Sequence, residues 1–277
     1  MNSAEVRVAC LQLNSQQCVS DNLEKILRLA TQAIEQDKAQ WIILPENAFC
    51  HPYDKTQQAE LDKVLPVLKT FAKQKKVWIF AGTLPVPVKH ETASDDSGKV
   101  YSTLYVINDS GDIAAVYRKI HLFDVHVADE GVDYRESDTF VAGDKPVLVL
   151  TPWGKVGLAI CYDLRFPELF LAMETERPFA FVVPSAFTLH TGRRHWHTLL
   201  KARAIDTFTW VLAAGQCGTH SKGRQTFGHT AMVSPDGAIV AELAEGEGYL
   251  CQPVNCTAPE NLRKNIPLRH HRALNPD

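Results

Sequence analysis

Short apolar runs of strand length alternate with helix-periodic segments at both ends of the chain, and between them the helices give way to strand pairs joined by tight turns. Residues 6–13 read as a strand, and the helix after it carries Leu23, Ile26, Leu27, Ala30 and Ile34 at helical spacing, with Asp21 and Glu24 as a capping pair. Residues 41–44 form a buried strand stopped by Pro45, and a helical segment over 57–75 leads to a strand at 77–81 closed by Gly82. In the middle, 101–108 and 113–117 flank the turn Asn108-Asp109-Ser110-Gly111, and 147–150 and 156–160 flank Pro152-Trp153-Gly154. Helical periodicity returns from Pro167, followed by strands at 179–183 and 211–214 around a helix over 196–207, and a hairpin turning at Pro235-Asp236-Gly237. This mixture fits an α/β fold of two mixed β-sheets packed face to face with helices outside, a four-layer α-β-β-α sandwich, better than one parallel sheet. No repeat, low-complexity tract or linker interrupts it, so residues 1–277 are expected to form a single domain.

Charge narrows the partners. The chain has 29 Lys and Arg against 32 Asp and Glu, with both signs dispersed, and offers no basic stripe for nucleic acid. Its N-terminal residues lack the basic flank and apolar stretch of a secretory leader, and no apolar run reaches the length of a membrane span, so a cytoplasmic protein without membrane partners is expected. Seven cysteines, odd in number and never spaced C-x-x-C, suggest neither a disulfide framework nor a zinc knuckle. A free Cys usually packs as a small hydrophobe, so its neighbourhood must single out a reactive one. His190, His195 and His197 carry no acidic or Cys ligand spacing, and no metal is expected. The Gly-rich fingerprints of dinucleotide and P-loop sites and the G-x-S-x-G elbow are all missing.

Three strands end in reactive residues, where a rigid scaffold meets an accessible loop. Leu44-Pro45-Glu46 sets a carboxylate past one strand, Arg118-Lys119-Ile120 an amine past another, and Ile160-Cys161-Tyr162 a thiol past a third. Pro167, suited to a first helical turn, puts Cys161 in a strand-to-helix elbow, where exposure to a pocket and a partly positive helix end favour thiolate. A thiol, a carboxylate and an amine cover the nucleophile, proton carrier and oxyanion stabiliser of amide hydrolysis.

In order along the chain, Pro45-Glu46-Asn47, Arg118-Lys119-Ile120-His121-Leu122 and residues 161–169, which read C-Y-D-L-R-F-P-E-L, resemble the nitrilase or carbon-nitrogen hydrolase superfamily over nearly the whole length. The resemblance implies a catalytic triad of Glu46, Lys119 and Cys161, a small-molecule amide substrate, no cofactor and a homo-oligomer. It also implies a second glutamate near the site, for which Glu136 in 134–137 is the better match and Glu130 the rival. Residues 184–196, 202–206 and 214–218 look like the branch that acts on deaminated glutathione, with the related omega-amidases, which act on 2-oxoglutaramate, as the alternative. Tyr162 and Phe187 are pocket candidates. Arg194 departs from the small residue usual before the His-Trp pair, leaving a substrate carboxylate partner, a surface residue and a dimer contact open for it. A non-catalytic interaction protein on the same fold would be signalled by a lost triad residue, and none is lost.

Overall fold

The computed structural model describes residues 4–88, 98–127 and 132–273. The first half contains β1 (Glu5–Gln12), α1 (Val19–Asp37), β2 (Trp41–Ile43), α2 (Val64–Lys75), β3 (Trp78–Phe80), β4 (Leu84–Pro87), β5 (Val100–Ile107) and β6 (Ile113–Arg118). A small hairpin of β7 (Asp124–Val127) and β8 (Val132–Arg135) and the short β9 (Phe140–Val141) complete it. The second half contains β10 (Val147–Thr151), β11 (Gly154–Leu158), α3 (Pro167–Glu174), β12 (Ala180–Ser185), α4 (Leu189–Thr207) and β13 (Trp210–Gly215). After these come the hairpin β14 (Cys217–Thr219) and β15 (Gln225–Phe227), then β16 (Thr230–Val233), β17 (Ile239–Leu243) and β18 (Gly248–Asn255).

One sheet runs β18-β1-β2-β3-β5-β4, with β6 and β9 also on β5, and the other runs β10-β11-β12-β13-β16-β17. Both mix parallel and antiparallel pairs. The two-residue period of a strand explains the layering. Val6, Val8 and Cys10 of β1 join a core with Leu158, Val182 and Met232 of the facing sheet, whereas Ala9 and Leu11 pack with Ile26 of α1 and Leu68 of α2. Trp41 bridges the sheets, its ring 5.0 Å from Phe80 and 5.7 Å from Phe179. Phe170 and Met173 of α3 and Trp196, Leu200 and Ala204 of α4 cover the second sheet. Burying Phe170, Met173 and Leu200 in this way contributes about 1.5–3 kcal/mol each. The four-layer α-β-β-α sandwich expected from the sequence is the architecture observed.

Boundaries differ in three places. α1 begins at Val19, so Asp21 lies in its first turn and the residue before the helix, Cys18, makes no side-chain cap. The segment over 57–75 is broken at Asp62 and Lys63 into a one-turn helix and α2. α4 begins seven residues before Trp196, because the Thr188 hydroxyl accepts from the Thr191 N–H and caps it there. Among the described residues no helix is long and apolar enough to cross a membrane.

Candidate active site

Sheet topology brings the three reactive strand ends together. β2 and β3 are parallel, β5 is antiparallel to β3 and β6 is antiparallel to β5, so the two reversals leave β6 running in the same sense as β2. Glu46 after β2 and Lys119 after β6 therefore emerge on one side of the first sheet. Cys161 follows β11 of the facing sheet, whose path is continued by the Ala159 N–H donating to Val182 O at 3.1 Å.

Lys119 is the hub. Its ammonium, almost fully buried, donates to Glu46 Oε1 at 2.8 Å and to both oxygens of Glu136 at 2.9 and 2.8 Å. Glu136 also accepts from the Phe123 N–H at 2.6 Å. Of the two glutamates weighed for the second position, Glu136 thus contacts the lysine, while Glu130 lies outside the described residues.

Asp163, fully buried, fixes the elbow that carries Cys161. It accepts from the Ile160 N–H at 2.9 Å, the Tyr117 hydroxyl at 2.7 Å and the His121 N–H at 3.0 Å, and lies 2.7 Å from His121 Nδ1. One carboxylate therefore ties the thiol's turn to the strand end that carries Lys119. This bracing holds Cys161 at φ 48°, a left-handed conformation that costs a non-glycine residue on the order of 1–3 kcal/mol. Sequence reasoning passed over Asp163, although its place two residues after Cys161 in the C-Y-D motif was the available signal.

Electrostatics corrects one expectation. The elbow does not favour thiolate: burial pushes the Cys161 thiol well up and the charge of Glu46 adds to this, against the opposing pull of Lys119 and the Ala186 N–H, which donates to Sγ at 3.5 Å. The turn that follows is a five-residue 3-10 segment, a weak source of helix dipole. Burial works against the charge of Lys119, but Glu136 and Glu46 outweigh it and raise its pKa. For Glu136, burial raises the carboxyl and Lys119 opposes it. The resting arrangement is a neutral thiol beside a carboxylate and a cation, so the thiol could act as a nucleophile only on losing its proton. A cysteine, a hydrogen-bonded carboxylate and a fixed ammonium can together perform acyl transfer.

These groups open into a cavity of about 200 Å³. Glu46, Lys119, Cys161, Glu136, Tyr162 and Phe187 all line it. Arg194 is not among the lining residues and is exposed on α4. Arg165 and Arg224 line the wall instead, along with His51 and Tyr134. The guanidinium of Arg165 lies 5.7 Å from the Tyr162 ring and 5.5 Å from that of Phe187, and its Nη1 is 3.2 Å from His195 Nδ1. Outside the cavity, His197 joins His229 and Glu242 in a group whose donor atoms lie within 4.8 Å of one another. His190 and His195 are not part of it, and both imidazoles in it already hydrogen-bond the Glu242 carboxylate.

The chain is similar to known proteins along nearly its whole length. Residues 7–256 match the family model described as carbon-nitrogen hydrolase. The chain is 37% identical over 273 residues to the deaminated glutathione amidase of Synechocystis sp., covering 96% of this chain and 97% of that protein. It is 32% identical over 283 residues to the omega-amidase NIT3 of Saccharomyces cerevisiae, covering 98% and 94%. The crystal structure of Saccharomyces cerevisiae Nit3, a member of branch 10 of the nitrilase superfamily, superposes with a TM-score of 0.83 at 29% identity, covering 98% of this chain and 97% of that one.

Proposed function

The chain belongs to the carbon-nitrogen hydrolase family, and on that premise we propose that it is a cysteine-dependent amidase cleaving deaminated glutathione to 2-oxoglutarate and cysteinylglycine. The observation that carries the reading is the Lys119 ammonium held between Glu46 and Glu136 in the same cavity as the Cys161 thiol. Similarity to proteins named deaminated glutathione amidase over nearly the full chain supports the substrate.

In the proposed reaction Glu46 takes the thiol proton as Cys161 Sγ bonds to the amide carbon. The oxyanion of the tetrahedral intermediate is stabilised by the Lys119 ammonium and the backbone N–H of Tyr162. Glu46 returns the proton to the leaving nitrogen, the C–N bond breaks, and a thioester remains on Cys161. Water then attacks the thioester, giving up its proton to Glu46, and the acid departs as the thiol is restored. Glu136 holds Lys119 in place throughout. No step draws on a cofactor. The same proposal takes the chain as one catalytic domain working in the cytoplasm as a homo-oligomer, and its seven unpaired thiols suit a reducing compartment.

An omega-amidase acting on 2-oxoglutaramate is the second reading, favoured by the similarity to NIT3. A panel comparing the two amides under identical conditions separates them. The expected result is a larger kcat/KM for deaminated glutathione, and a large preference for 2-oxoglutaramate would reverse the assignment.

A further inference from the structure

Lys119 is committed to two carboxylates and Arg165 leans on His195, but another cationic part of the cavity wall is less engaged. Arg224, in the turn between β14 and β15, places its guanidinium 5.0 Å from the Tyr134 ring, and its buried Nε has no hydrogen-bond partner among the described residues. His51, in the loop after β2, is almost fully buried, lines the same cavity, and among the described residues has a partner on neither ring nitrogen. Its ring stands edge-on to His220 at 4.4 Å. Burial, then the charge of Arg224, hold His51 well below the usual imidazole range, so its ring in the cavity wall is neutral, with one donor and one acceptor. Buried polar groups are ordinarily satisfied, and unsatisfied ones in a cavity wall are suited to a ligand that satisfies them.

The two amides differ in the charge they carry away from the scissile bond. Both have the carboxylate of the 2-oxo acid. Only deaminated glutathione has a second carboxylate, at the end of its leaving dipeptide, together with a peptide group between. We infer that Arg224 and His51 form a subsite for the leaving group, Arg224 reading its terminal carboxylate and His51 hydrogen-bonding its peptide group. A planar guanidinium backed by an aromatic ring matches a carboxylate, and an imidazole with one donor and one acceptor matches an amide. The inference rests on the substrate reading above and explains how this chain would distinguish the longer amide from the shorter one.

The test pairs a protein change with a substrate change. Arg224→Gln should lower kcat/KM for deaminated glutathione about tenfold or more relative to its effect on 2-oxoglutaramate, chiefly through KM. Replacing the terminal carboxylate of the substrate with a carboxamide should produce a similar loss in the wild-type enzyme and little further loss in the variant. The substrate-side change needs no variant to fold. Equal losses on both amides, or equal discrimination of acid from carboxamide by variant and wild type, would overturn the assignment. Wild-type enzyme that hydrolyses 2-oxoglutaramate and leaves deaminated glutathione intact would remove the substrate reading itself, and this subsite with it.

Discussion

At the scale of single residues, the site depends on charge placed where water cannot screen it. Lys119 sits between two carboxylates in a buried setting, so removing it leaves uncompensated negative charge. Lys119→Met is expected to cost about 3–5 kcal/mol in urea denaturation and to abolish turnover. Adding Glu136→Gln should recover part of the stability and none of the turnover, because one buried charge is removed while the oxyanion partner is still missing. Recovery of activity in the double variant would contradict the role given to Lys119. Cys161 gives a second test. Burial and then Glu46 keep its thiol protonated, so Glu46→Gln should speed alkylation of Cys161 by iodoacetamide near pH 8 while slowing amide turnover. Slower alkylation, followed by peptide mass, would mean that Glu46 does not oppose the thiolate.

At the scale of elements, glycine shows how strand ends are kept in register with the chemistry. Gly82 follows β3 at φ 61°, and a Cβ there would stand 2.1 Å from the carbonyl oxygen of Pro45, next to Glu46. Gly82→Ala should displace the end of β2 that carries Glu46 and lower kcat by about tenfold or more at unchanged Cys161 content, since misplacing a catalytic group by about 1 Å costs roughly a hundredfold. Wild-type kcat in that variant would detach Gly82 from the site. The sequence made Gly82 legible as the close of a strand, and the apolar runs of β1, β2, β3 and β12 legible as buried strands, since β-branched and aromatic residues crowd them. It showed β17 only as the far arm of the hairpin turning at Pro235-Asp236-Gly237 and did not reveal β18, which includes Gln252, Pro253 and Asn255 yet pairs along β1 as a sheet edge, where a residue without an N–H is tolerated. The triad candidates were legible because each sits in a dense local motif. Asp163 stood in such a motif and was missed, while His51, Tyr134 and Arg224 meet only through sheet topology, and no local spacing links them.

At the scale of the whole molecule, the loops after β2 and β14 pack together and bury two histidines as neutral imidazoles. Burial brings His220 down to about 4 even though the Ser15 carbonyl favours its charged form, and His51 is also held low. As pH falls below about 6.5, the unfolded chain takes up protons that the folded one refuses. The stability gained by keeping these rings neutral is therefore complete above that pH and lost toward pH 4, at up to about 1.4 kcal/mol per pH unit for each ring. Urea midpoints at pH 7 and pH 5 should fall in the wild type and fall less in His220→Gln, whereas parallel losses would assign the acid sensitivity elsewhere. The central claim is that Cys161 carries the acyl group of a 2-oxoglutaramoyl amide, and the most direct test is the intact mass of the protein quenched during turnover of deaminated glutathione. The account predicts a 2-oxoglutaryl adduct mapped to Cys161, formed with stoichiometric release of cysteinylglycine and absent from Cys161→Ala. Turnover by Cys161→Ala, or an adduct on any other residue, would contradict it.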